Sequence, residues 1–237
     1  MAAAGIPVVP VTARPLRWLG EYTFLRESRY VIFANGAVVY DALAAAVASR
    51  RHLAVELLTE LIARVRAAVP GAVFAVETDD GWRMRHDEGY PLRSDAGKPG
   101  VAAVRDPAEL VAAPAVKLLV KQPSWVSDEL LATVTGAVAG LAEVTMSAPY
   151  GLVEIATGGV TKATGLAEVA AALGVDARDV VAFGDMPNDV SMLAWAGRAV
   201  AVANAHARVH AVADEVTGSN ADDGVAAWIE TLLGVDA

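Results

Sequence analysis

Cysteine is absent from this 237-residue chain, which excludes disulfides, thiolate zinc sites and a cysteine nucleophile. Cations are scarce. Against 28 Asp and Glu stand 19 Lys and Arg, for a net charge of −9, and only four positions are lysine. That balance argues against a nucleic-acid surface, which needs clustered Lys and Arg. No apolar run reaches the ~18 residues of a membrane helix, and the start Met1-Ala-Ala-Ala-Gly-Ile-Pro lacks the basic flank of a signal peptide. A soluble, cytoplasmic protein with neither nucleic-acid nor membrane partners is the expectation. The dinucleotide fingerprint G-x-G-x-x-G is missing, as are internal repeats. What is abundant is apolar side chain, 55% of the residues, enough for one large domain or two modest ones.

The stretch from Val180 to Leu193 is the most informative. Val180 to Phe183 predict a short buried strand, ended by a turn at Gly184. Pro187 suits a first helical position, where its missing N–H costs nothing. Asp185, Asn188 and Asp189 therefore cluster between the carboxyl end of a strand and the amino end of a helix, where open α/β sheets bind ligands. Two carboxylates so close repel each other. A divalent cation such as Mg²⁺ would relieve this; ordinary helix capping by Asp is an equal alternative.

The same grammar appears at the start. Ile6 to Val11 predicts a strand, made irregular by Pro7 and Pro10, with Thr12 at its end and a helix from Leu16 to about Glu27. Thr12 suits either a phosphate oxygen or a simple cap. Tyr30 to Phe33 is a further strand, followed by the turn signal Asn35-Gly36. From about Leu43 to Gly159 helices mix with hairpins, which reads as an inserted α+β unit. Parallel α/β alternation then resumes. Lys162 falls in the first turn of a helix, where the dipole disfavours a cation by ~0.3–1 kcal/mol. Either it faces an anion or it arches into water. His206 and His210 lie four apart without an intervening Glu and read as surface residues.

The order of these pieces is more specific than any one of them: Thr12-x-Arg14-Pro15, Asn35-Gly-Ala37, a long insertion, Gly159-Val-Thr-Lys162, Gly184-Asp-x-x-Asn-Asp189, Asn204-Ala205 and Asp223-Gly-Val225. It resembles the haloacid dehalogenase-like phosphatases, in particular the Cof-like group with a large type IIB cap. The resemblance implies a Rossmann-like α/β core (1–43 and 159–237) with a parallel sheet, and an inserted α+β cap (44–158). It implies that Thr12 and Lys162 are catalytic and bind the transferring phosphoryl group. Arg14, Asn35 and Asn204 are its candidate substrate contacts. Asp185 is its Mg²⁺ ligand, with Asn188 and Asp189 holding metal-bound water or orienting Lys162. The implied activity is Mg²⁺-dependent hydrolysis of small phosphorylated metabolites, of sugar phosphate or flavin-precursor type, through an aspartyl-phosphate.

One departure stands out. The family's first motif, Asp-x-Asp-Gly-Thr, should precede Thr12 by some tens of residues, and only eleven precede it. Asp79-Asp80-Gly81 is a look-alike inside the insertion, with no strand feeding it correctly. The nucleophile and the general acid, together with a central strand of the sheet, are thus expected to be missing, as in a shortened form of a longer protein. A protein that binds a phosphorylated ligand or a partner without turnover is the alternative from another class; phosphomutase chemistry is a further one.

Overall fold

The computed structural model describes residues 1, 4–21, 27–147 and 151–234. β1 (Tyr30–Phe33), β2 (Val38–Asp41) and β3 (Ala46–Arg50) form an antiparallel meander. The stretch expected as a strand over 6–11 contributes one parallel bridge, Val11 to Ile32. Pro7 and Pro10 have no N–H to donate, so a longer ladder cannot form there. The helix expected from Leu16 to about Glu27 is a 3-10 turn at Leu16–Trp18, and residues 22–26 lie outside the described residues. β2 and β3 were not foreseen, and β3 lies inside the stretch 44–158 assigned to the insertion.

The middle of the chain builds a larger layer. α1 (Val55–Ala68) precedes β4 (Val73–Thr78), β5 (Arg83–Asp87), β6 (Val101–Val104) and β7 (Ala115–Lys121). α2 (Ser127–Ala137), β8 (Ala142–Thr145) and β9 (Leu152–Thr157) follow. The six strands are ordered β6-β5-β4-β7-β9-β8 and are antiparallel except for β5 with β6. Side chains alternate between faces along each strand. Phe74, Val76, Leu118, Val120, Val153 and Ile155 take one face and pack under α1 and α2. Glu77, Lys117, Leu119, Lys121, Leu152 and Glu154 take the other, and these line the cavity described below.

α3 (Lys162–Leu173) opens the last third and ends at Gly174, whose φ of 71° gives the left-handed cap. β10 (Val181–Gly184), α4 (Val190–Trp195), β11 (Arg198–Val202), α5 (Ala207–His210), β12 (Glu215–Thr217) and α6 (Gly224–Leu233) complete the chain. β10, β11 and β12 are parallel. Among the described residues no backbone bridge joins this sheet to the β1–β3 meander. The two share one apolar cluster instead, in which Ile32 and Val39 meet Leu166, Val169, Ala182 and Leu193. Among the described residues no helix is long and apolar enough to cross a membrane.

Candidate active site

The turn Ala34–Gly36 organises the site. Ala34 and Asn35 have φ of 49° and 57°, a left-handed conformation that asparagine tolerates better than most residues. The amide of Asn35 donates to the carbonyl of Thr12 at 3.1 Å, and that of Ala34 to Arg14 at 3.0 Å, so the Thr12 loop is stitched to this turn. A Cβ on Gly36 would lie 2.0 Å from the Thr161 carbonyl, so only glycine lets the turn abut the start of α3. Thr12, Asn35 and Lys162 are thereby drawn together from three segments.

The Asp185 stretch arrives from the other side. Asp189 is buried, and one of its carboxylate oxygens accepts from the amides of Asp185 and Met186, each at 3.0 Å. The other accepts from Lys162 Nζ at 2.5 Å. Both oxygens are therefore engaged, and Asp189 fixes the lysine and the turn. Asp185 differs: burial, then the neighbouring Asp189 charge, pushes its carboxyl above the ordinary range.

Thr12, Arg14, Lys162, Asp185 and Asn188 line a cavity of about 440 Å³. Thr12 Oγ1 accepts from the Arg14 amide at 3.1 Å, and the Arg14 guanidinium lies 4.4 Å from the Trp18 ring. Asn35 instead lines a neighbouring cavity of about 210 Å³, its side chain held between Glu154 and Asn188. Asn204 lines neither cavity and pairs with Asn220 through two hydrogen bonds. Asp79–Gly81 turns between β4 and β5, and Asp80 pairs with Arg50 and His52, away from the cavity.

Among the described residues no group of three His, Cys, Asp or Glu is placed to hold a metal. The donor set is smaller and mixed: the Asp185 carboxylate and Asn188 Oδ1, a buried oxygen without a hydrogen-bond partner. An orphaned carbonyl oxygen beside a half-buried carboxylate fits Mg²⁺, which takes one or two protein oxygens and completes its shell with water and phosphate.

The part of the lining that comes from the six-stranded sheet was not legible in the sequence. Glu77, Lys117 and Glu154 come from adjacent strands of the six-stranded sheet and are buried. Lys117 Nζ donates to the Ala13 carbonyl at 2.5 Å and to Glu154 at 3.3 Å, with Glu77 at 3.7 Å. Burial alone would lower the Lys117 pKa, but Glu154 and Glu77 outweigh it and hold the amine above the usual lysine range. Glu154 then accepts from Asn35 at 2.6 Å, and Asn35 from Asn188 at 3.0 Å. A continuous chain of hydrogen bonds thus runs from the Thr12 loop through the six-stranded sheet to Asn188. Arg17 adds ion pairs to Glu77 and Asp95. Tyr90, which also lines the cavity, has its hydroxyl pushed upward by burial and then by Glu77, and stays protonated.

The family model for haloacid dehalogenase-like hydrolases matches residues 1–229. The chain belongs to that family. SMU.1108c from Streptococcus mutans has the same fold, with a TM-score of 0.85 at 23% identity, over 98% of this chain and 88% of that one. The subclass IIB sugar phosphatase BT4131 has a TM-score of 0.79 at 20% identity, over 99% and 88%. This haloacid dehalogenase-like chain therefore shares the fold of that subclass IIB protein. In sequence it is 38% identical over 84 residues to the 5-amino-6-(5-phospho-D-ribitylamino)uracil phosphatase YitU of Bacillus subtilis, 35% of this chain and 31% of that protein. The matched segments of the first curated relatives amount to about a third of their length.

Proposed function

We propose that this chain belongs to a cytoplasmic, Mg²⁺-dependent phosphatase of small phosphorylated metabolites, of sugar phosphate or flavin-precursor type. The observation that carries the reading is that Thr12, Lys162, Asp185 and Asn188, distant in sequence, line one cavity. In this reading the Thr12 hydroxyl donates to a phosphoryl oxygen, and Lys162, fixed by Asp189, offsets its charge. Mg²⁺ held by Asp185 and Asn188 would supply Lewis-acid neutralisation of the same phosphoryl group. The middle unit is the cap: it covers the organic part of the substrate and keeps water out.

An aspartyl-phosphate route needs an attacking carboxylate. Of the carboxylates on the cavity, Glu77, Glu154 and Asp95 are taken by Lys117, Asn35 and Arg17, and Asp185 is the assigned metal ligand. That favours one second reading, a chain that binds a phosphate monoester without turning it over. Release of inorganic phosphate from p-nitrophenyl phosphate and a panel of sugar phosphates, with Mg²⁺ and with EDTA, separates the two. The phosphatase reading expects turnover that requires Mg²⁺ and is lost in Lys162→Met. Saturable monoester binding without phosphate release would replace it with the binding role.

A further inference from the structure

The buried lysines that the six-stranded sheet turns toward the larger cavity are held within the protein. Lys117 meets Glu77, Glu154 and the Ala13 carbonyl, and Lys121 donates to the Pro91 carbonyl. Tyr90 is set differently. It lines the same cavity at 7% exposure, yet its hydroxyl has no hydrogen-bond partner. Nor is that oxygen sealed off: among the described residues the sealed, unpartnered side-chain oxygens belong to Ser49, Glu77 and Asn188. A buried tyrosine hydroxyl normally finds a partner within the protein. One left open in a cavity lining is available to a ligand.

The ring that carries it is fixed. It packs with Ala75, Met84 and Leu119, and against Leu92 and Leu152, on the sheet face that lines the cavity. The Tyr90 amide donates to the Asp87 carbonyl at 2.9 Å, and Lys121 holds the next residue through the Pro91 carbonyl at 3.3 Å. The hydroxyl is therefore presented from a body locked by packing, as a precise recognition group requires.

The neighbours define the acceptor. Burial, and then the charges of Glu77, Glu154 and Asp95, keep the phenol protonated, so it can donate. Glu77 and Glu154 line the same cavity, and carboxylates there disfavour an anionic acceptor. A neutral oxygen, a hydroxyl or a carbonyl, fits the donor and meets no such repulsion.

We propose that the Tyr90 hydroxyl is a specificity-determining donor, and that it takes a neutral hydroxyl or carbonyl oxygen on the organic part of a phosphate monoester. The inference rests on the phosphoryl end lying where the proposed function puts it. An alkyl phosphate would leave the phenol unpaired. A site built to hydrogen-bond a substrate oxygen discriminates against the analogue that lacks it for that reason.

The test is calorimetric titration in Mg²⁺ of the wild type and Tyr90→Phe. Three ligands of equal chain length are compared: glucitol 6-phosphate, fructose 6-phosphate and hexyl phosphate, which has neither hydroxyl nor carbonyl. Removing the phenol oxygen should weaken one or both sugar ligands about fivefold, the worth of one net hydrogen bond, and change hexyl phosphate less than about twofold. Tyr90→Phe should melt at or above the wild-type temperature, because the oxygen it loses has no partner inside the protein. A variant that melts several degrees lower would show the hydroxyl to be used internally and would overturn the inference. An equal effect on all three ligands, or none on any, would overturn it too, with the phosphoryl site intact. If no ligand binds the wild type, the phosphoryl site itself is refuted and the role of Tyr90 with it.

Discussion

Glu154, on strand β9 of the six-stranded sheet, accepts a hydrogen bond of 2.6 Å from the side chain of Asn35 in the turn Ala34–Gly36, and both residues are buried. The contact joins the six-stranded sheet to the turn that holds the Thr12 loop, so it ties the seating of that sheet to the geometry of the site. Asn35→Asp keeps a residue suited to the left-handed turn but replaces the amide donor with an acceptor facing a carboxylate. The expected cost is about 2 kcal/mol or more, since a buried charged group loses its partner. Urea denaturation of the variant reads this directly, and an unchanged midpoint would deny the contact its role.

Lys117→Met should be more severe. It leaves Glu154 without its ion pair, and Glu77 with Arg17 alone, in a buried setting. Breaking a buried pair from one side costs about 3–5 kcal/mol. Adding Glu154→Gln should recover part of the loss, a coupling that a double-mutant cycle measures.

The pH dependence of that pair has a definite sign. The Lys117 pKa is raised in the folded state, so its contribution is fully present below the ordinary value of 10.5 and is lost as pH climbs through the folded value. The stability gap between the wild type and Lys117→Met should therefore be flat from neutral pH to about 10 and close above it. A gap that closes below pH 9 would contradict the assignment.

Gly36 offers a steric test. Gly36→Ala places a Cβ 2.0 Å from the Thr161 carbonyl at φ 102°, whereas Gly174→Ala meets open space at φ 71°. The first should prevent folding or cost more than about 3 kcal/mol, and the second about 1 kcal/mol. Thermal melts of the two variants compare them.

How much of this was legible in the residues follows from where the constraints are local. Pro187 announces a helix start through chemistry within a few positions, and a helical turn begins there. Thr12, Lys162, Asp185 and Asn188 stood out by their place at strand and helix ends. The stretch Ala115–Lys121 reads as an apolar strand with two lysines, and nothing local says that both are buried. The anions that Lys117 meets sit 37 and 40 residues away, at Glu154 and Glu77, and only the pairing of β7 with β9 and β4 brings them together. The 6–11 strand failed for a local reason that was visible, the two prolines. The weight they carry depends on having a neighbour to pair with.

Asp189 and Asn188 should part company on mutation. Asp189→Asn removes the charge that holds Lys162 and weakens the acceptor for the Asp185 and Met186 amides, so both stability and phosphate affinity should fall. Asn188→Ala removes the orphaned Oδ1 and should lower Mg²⁺ affinity with a smaller loss of stability, because its one hydrogen bond is to Asn35. Denaturation midpoints and Mg²⁺ titrations of the two variants separate the roles.

The central claim is that one phosphate and one Mg²⁺ share the cavity lined by Thr12, Lys162, Asp185 and Asn188. Titrating Mg²⁺ into the chain with and without saturating glucitol 6-phosphate tests it, because two ligands on one site must enhance each other's binding by the same factor. The account predicts mutual enhancement of at least fivefold, abolished by Asp185→Asn and by Thr12→Ala. Independent binding of the two ligands, or enhancement that survives both substitutions, would contradict it.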